Sequence, residues 1–228
     1  MRTAAILPVK RFSAAKQRLG AGIAESLRAE LARAMVGDVL TALRDCSAID
    51  ATIVVTREPV VAAAARYIGA TVVEDTIESG QSAAASVGLA RALQEGFERA
   101  LCVPGDCPAL DPADLERLLG PGARASAPSV VIVPDRHGTG TNGLLLTPPD
   151  AIGPSFGPDS RARHEELART AQAAVHIERL PSLVLDVDTA EDLAALRERL
   201  RGETVRAPRT RAVLAGPAAP PGAVSQAA

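Results

Sequence analysis

Along most of this chain, short apolar runs alternate with stretches whose apolar residues recur at a helical spacing. Thr3 to Val9, Thr52 to Thr56, Thr71 to Val73 and Ala100 to Val103 are compact apolar segments, which predict buried strands. Leu27, Leu31, Met35 and Val39 recur at four-residue steps and predict an amphipathic helix. Further helices are predicted from Pro59 to about Tyr67, from Gln81 to Leu93 after Ser79 and Gly80, and from Pro112 to Leu119 behind the candidate cap Asp111. Val130 to Val133 and Leu144 to Leu146 predict two strands around the loop Asp135 to Asn142. A helix from Ser160 to about Ala171, short strands at Val175 to Ile177 and Leu183 to Leu185, and a last helix from Thr189 to about Leu200 complete the pattern. Such alternation predicts an α/β domain with a mostly parallel sheet over residues 1–202. After Gly202 the periodicity stops and Ala, Pro, Gly and Arg dominate, so residues 203–228 are expected to be a disordered tail.

Composition narrows the function classes. Hydrophobic residues make up 47% of the 228, enough for a full core, but aromatics are only 2%, so that core must be aliphatic. Few stacking platforms, a net charge of -2 and a pI near 6.0 argue against a nucleic-acid partner. Cys46, Cys102 and Cys107 form no CxxC pair, so neither a disulfide framework nor a zinc site is expected. No apolar run has the length of a membrane helix, and the apolar segment within MRTAAILPVK is too short for a signal peptide. A soluble cytoplasmic protein with no membrane partner is expected, and a homodimer is compatible with the sequence.

Candidate chemistry gathers in loops that follow the strands, where open α/β sheets bind ligands. In Asp135 to Asn142, Gly138 and Gly140 alternate with Thr139 and Thr141, a spacing that can turn amides and hydroxyls toward an anion. Phe156-Gly157-Pro158-Asp159-Ser160 reads as a helix start, another anion site, with Arg161, Arg163 and His164 in the first turns. Each piece alone reads better as an ordinary hairpin or capped helix; together, with the cationic and titratable side chains, they point to an anionic substrate.

Lys10 and Lys16 are the only lysines, and both lie in the segment after the first strand together with Arg18, which suits nucleotide phosphates. Asp106, in the turn after the fourth strand, and Asp186 and Asp188, on one side of an extended segment, are candidate magnesium ligands. Asp188 can equally start the last helix with Thr189. Gly80, Gln81 and Ser82 open a small-residue helix, either a plain start or a place where a nucleobase meets the backbone. Asp38 is expected to be solvated, and His137 and His164 show no partner in the sequence.

With PVKRFSAAKQRL, GDCPAL, DRHGTGTNGLLL, FGPDSRARH and DVDT in this order, residues 1 to 200 resemble the 2-phospho-L-lactate / phosphoenolpyruvate guanylyltransferase family of deazaflavin coenzyme F-420 biosynthesis. The resemblance implies a nucleotidyltransferase-type, glycosyltransferase A-like three-layer sandwich with a mixed central sheet. It implies that a small phosphorylated carboxylic acid contacts Thr141, Gly157 and Ser160. It places Mg2+ near Asp106, Asp186 and Asp188, and the GTP phosphates near Lys10 and Lys16. The start GQSAAAS departs from the leucine-asparagine type of many relatives. Alternatives are 2-phospho-L-lactate or 3-phosphoglycerate as acceptor, a molybdopterin-type nucleotidyltransferase, a glycosyltransferase using Asp186-Val187-Asp188 as its DxD, or a non-catalytic nucleotide-binding protein.

Overall fold

A computed structural model describes residues 1–12, 24–76, 78–120, 128–202 and 205–216. In chain order the elements are β1 (Thr3–Val9), α1 (Glu25–Asp45), β2 (Ala51–Thr56), α2 (Pro59–Tyr67), β3 (Thr71–Val73), α3 (Gln81–Gln94) and β4 (Arg99–Cys102). They continue with α4 (Pro112–Leu119), β5 (Ser129–Pro134), β6 (Thr141–Thr147), α5 (Ser160–Thr170), β7 (Ala174–Ile177), α6 (Ala190–Leu200) and α7 (Pro208–Ala215). The strands form one seven-stranded sheet ordered β3-β2-β1-β4-β6-β5-β7. Strand β6 runs antiparallel to β4 and β5, and the other pairings are parallel.

Strand alternation divides the core into two layers. Ala5, Leu7, Val54, Leu101, Val131 and Leu145 face α1, α2 and α4 on one side. Ala4, Ile6, Ile53, Cys102, Ile132 and Leu144 face α3 and α5 on the other. Helix α3 lies close against the sheet at Gly88, where an added Cβ would sit 2.3 Å from Ile6 Cγ2. Overpacking of this kind typically costs about 1–3 kcal/mol, so the helix needs glycine here. The result is the three-layer α/β sandwich expected from the resemblance.

Four details depart from the sequence reading. Leu27 is 38% exposed, so the α1 stripe begins at Leu31. Leu183 to Leu185 is a turn and an irregular segment, whose Leu183 carbonyl accepts bonds from Asn142 Nδ2 and Cys107 Sγ instead of pairing with a strand.

The other two departures belong together. Part of the expected disordered tail is helix α7, and Asp38 is buried beneath it. The Asp38 carboxylate accepts from Arg209 N at 3.2 Å and Thr210 N at 2.8 Å, satisfying the amides of the first turn. The Arg211 guanidinium bonds the carbonyls of Leu200, Gly202 and Val205, joining α7 to the end of α6. Leu31 and Met35 of α1 pack with Leu185, Val187, Leu193, Leu196, Leu200 and Ala207 in a third apolar cluster. The segment carrying Asp186 and Asp188 is thereby anchored through its alternate residues.

Among the described residues, no helix is long and apolar enough to cross a membrane.

Candidate active site

A cleft of about 680 Å³ opens over the sheet rim where β1 and β4 end and β6 begins. Its lining includes Lys10 after β1, Asp75 after β3, Gln81 at the start of α3, and Gly105 and Asp106 after β4. Because β6 is antiparallel to β4, its first residues, Thr141 and Asn142, come to the same rim. Gly157, Asp159 and Ser160 approach from the start of α5, and Asp186 and Asp188 from the segment before α6.

The carboxylate side is tied together by the backbone and by Asn142. Val187 N donates to the Asp106 carbonyl at 3.2 Å, setting the two acidic segments side by side. Asn142 Nδ2 donates both to Leu183 O at 2.9 Å and to Asp186 Oδ1 at 3.2 Å. Leu185 and Val187 are buried in the apolar cluster, so the intervening Asp186 and Asp188 turn to the cleft. Burial pushes the Asp186 carboxyl above the ordinary carboxylate range; Asp106 adds to this, Asn142 opposes it, and Asp188 raises it further. Thr189 and Asp192 form a reciprocal capping box, so α6 starts without using the Asp188 side chain as its cap.

Mutually repelling hard oxygen donors are a suitable set for a divalent cation. Among the described residues, however, no group of three His, Cys, Asp or Glu is gathered closely enough to hold one by itself. Asp106, Asp186 and Asp188 are hard oxygen donors on the cleft lining that could hold a cation only together with oxygens of a bound ligand.

The lining also includes neutral donors. Ser160 is buried and lines the cleft, while the first amides of α5 are bonded to backbone carbonyls, Ser160 N to Gly157 O and Arg161 N to Thr139 O, both at 3.1 Å. Gly157 has φ +111°, a conformation that glycine adopts without strain and that shapes the approach to this helix. Thr141 Oγ1 lies 3.0 Å from His164 Nδ1, and Ser155 N donates to His164 Nε2 at 2.8 Å. Burial, and then the neighbouring Arg163, lower the His164 pKa to about 4, so the ring is neutral at physiological pH.

Several expected contacts are placed elsewhere. Arg163 donates to Ser155 Oγ and to the carbonyls of Ser155, Phe156 and Pro158, bracing the loop from behind and staying outside the cleft lining. Arg161 also stays outside the lining, bonded to Glu165 and Gly138 O. Ser82 Oγ accepts from Phe156 N at 2.8 Å and, like Gly80, does not line the cleft; Gln81 does. The amides of Gly138 and Thr139 bond Asp135, so the glycine-threonine loop uses them internally and does not turn them toward an anion. His137 is exposed and accepts from Arg136 Nε. Lys16 and Arg18 lie outside the described residues.

Asp75 and Asn142 were missed from sequence. Asp75 follows a strand end just as Asp106 does, and the same reasoning could have found it. Asn142 sits in the quoted TGTN stretch, but its partner Asp186 is 44 residues away.

Comparison with known proteins shows the family and the fold. The family model described as "Guanylyl transferase CofC like" matches residues 3–207. A phosphoenolpyruvate guanylyltransferase of Conexibacter woesei is 51% identical over 94% of this chain and 96% of its own length. One from Rubrobacter xylanophilus is 38% identical over 84% of this chain and 92% of its own. A solved structure described as a nucleotide-diphospho-sugar transferase from Desulfovibrio desulfuricans G20 superposes with TM-score 0.75 at 18% identity, covering 94% of this chain and 95% of its own. A nucleotidyl transferase from Methanothermobacter gives TM-score 0.63 at 20% identity, covering 88% and 98%. These structures share the fold, and the sequence matches fix the membership: the chain is a nucleotidyltransferase belonging to the CofC-like guanylyl transferase family.

Proposed function

We propose that this enzyme joins the GMP part of GTP to phosphoenolpyruvate and releases pyrophosphate, as a step of deazaflavin coenzyme F-420 biosynthesis in the cytoplasm. The observation that carries this reading is a cleft lined both by the carboxylates Asp106, Asp186 and Asp188 and by the neutral donors Thr141 and Ser160, in a chain 51% identical to a phosphoenolpyruvate guanylyltransferase.

An oxygen of the acceptor phosphate attacks the α-phosphorus of GTP in line. The new P–O bond forms as the bond to the bridging oxygen breaks, and pyrophosphate leaves with that electron pair. The attacking oxygen is already anionic, so no general base is required; the obstacle is repulsion between two polyanions. Lys10 lines the cleft, and its ammonium is a compact point charge suited to the phosphates. Thr141 and Ser160, which line the cleft, hold the acceptor in orientation, which converts an encounter of two anions into a positioned reaction. Asp106, with Asp186 or Asp188, would hold Mg2+, which when bound offsets phosphate charge on both reactants. Asp75 and Gln81 both line the cleft; Asp75 Oδ1 accepts from Glu78 N at 3.0 Å, and its carboxylate matches the N1–H and exocyclic amine of guanine.

The test is pyrophosphate release from each nucleoside triphosphate in turn with phosphoenolpyruvate, 2-phospho-L-lactate or 3-phosphoglycerate. GTP with phosphoenolpyruvate should be fastest. No release with any acceptor, or nucleoside diphosphate released from a sugar nucleotide, would overturn the reading.

A further inference from the structure

The chain buries a histidine completely beside the acceptor side of the cleft, and that ring has a partner on each nitrogen. His164 stands in the first turns of α5 with 0% exposure. Its Nε2 is 2.8 Å from Ser155 N, its Nδ1 is 3.0 Å from Thr141 Oγ1, and its ring meets Phe156 edge-on at 5.3 Å.

The direction of these bonds follows from what each partner can do. A backbone N–H only donates, so Nε2 must present its lone pair to Ser155. In a neutral ring the hydrogen is then on Nδ1, and it is donated to Thr141 Oγ1. The other tautomer, or the imidazolium, would set two hydrogens against each other in the 2.8 Å gap at Ser155. A threonine hydroxyl that accepts from the ring has its own hydrogen left to give, and Thr141 lines the cleft.

We infer that His164 is a positioning residue that fixes the polarity of the Thr141 hydroxyl, presenting it to the acceptor as a hydrogen-bond donor. This inference rests on the proposed acceptor site at Thr141. The same ring holds Ser155, next to Phe156, whose N–H bonds Ser82 of α3. One imidazole thus sets both a donor and the wall beside it. A hydroxyl held as a donor favours phosphate or carboxylate oxygens and disfavours an acceptor molecule that offers an N–H or O–H at that point. Burial keeps the ring neutral, so the polarity does not reverse within the physiological range.

Two measurements test this. In the 15N spectrum of histidine-labelled protein, the resonances lost in His164→Gln belong to His164. They should show a protonated Nδ1 and a bare Nε2, unchanged between about pH 7.5 and 5.5. An Nε2-protonated ring would overturn the inference, whatever the reaction proves to be.

The second measurement is acceptor kinetics with two variants. A glutamine amide reaches the place of Nε2 and can keep Ser155, but gives up the bond to Thr141; an asparagine amide reaches the place of Nδ1 and keeps Thr141. His164→Gln should raise the phosphoenolpyruvate KM about tenfold with the GTP KM unchanged, and His164→Asn less than about threefold. In a Thr141→Val background, His164→Gln should add nothing further. Equal losses from both variants, or effects that multiply in that background, would show a purely structural histidine. If the parent protein releases no pyrophosphate with any phosphorylated acceptor, the proposed function fails, while the spectrum still decides the tautomer.

Discussion

Val187 donates its backbone N–H to the carbonyl of Asp106 at 3.2 Å, although these residues belong to segments on opposite sides of the β5–β6 hairpin in sequence. That single bond places the carboxylate after β4 beside those of Asp186 and Asp188. It also links the cleft to the apolar cluster beneath, since Val187 is fully buried among α1 and α6 side chains. The acidic side of the site is therefore anchored to the core below it.

The acceptor side should respond differently from the acidic side. Thr141→Val or Ser160→Ala removes one neutral donor from a charged ligand, worth about 1.5–3 kcal/mol. The phosphoenolpyruvate KM should rise about tenfold or more, with the GTP KM little changed. Steady-state kinetics in both substrates checks this, and unchanged acceptor kinetics in both variants would move the acceptor elsewhere.

Arg163 should matter through shape. Its planar fork reaches four oxygens of the 155–158 loop, and a single ammonium cannot span them. Arg163→Lys is expected to raise the acceptor KM severalfold and speed amide exchange at Phe156 and Gly157. Full activity in the lysine variant would show that charge alone suffices at this position.

Asp38 should matter for stability. Asp38→Ala leaves the first-turn amides of α7 without their buried acceptor, at about 1–3 kcal/mol, or roughly 2–10 °C in Tm. Calorimetry measures the shift, and limited proteolysis should cut within residues 205–216 first. A variant as stable and as protease-resistant as the parent would mean that α7 docks without this cap.

His164 predicts a pH dependence of stability. Its folded pKa is about 4 against an ordinary 6.5, so between these values the unfolded chain carries the extra proton. Stability from this group is full above about pH 6.5 and is lost as pH falls toward 4, by up to about 3 kcal/mol. Thermal melts from pH 7.5 to 4.5 should fall more steeply for the parent than for His164→Gln. Parallel slopes would mean that the ring titrates normally.

Much of the fold was legible because it is written locally. Apolar runs set the strands, four-residue steps the helices, and proline or small polar residues the helix starts. The cleft was legible in part for the same reason: Lys10, Asp106, Thr141 and Asp186 each follow or begin a strand or lie in an extended segment, and the topology brings such ends to one rim. What escaped depends on distant partners. Asp38 looks like any solvated helix carboxylate until a segment 171 residues later supplies the amides that bury it. Arg161 and Arg163 look like anion ligands because charge is visible in a sequence, whereas the carbonyls that claim their guanidinium groups are not. His164 had no visible partner because both of its partners are set by tertiary packing.

The most direct measurement is pyrophosphate release from GTP and phosphoenolpyruvate across a titration of free Mg2+, with the parent and Asp106→Asn side by side. The parent is expected to need the cation, to lose activity on chelation and to regain it on Mg2+ return. The variant should keep the parent's fold by circular dichroism while its rate falls at least a hundredfold at every concentration. A parent indifferent to chelation, or a variant that follows the parent curve, would contradict the joining of two phosphates over a metal held at Asp106.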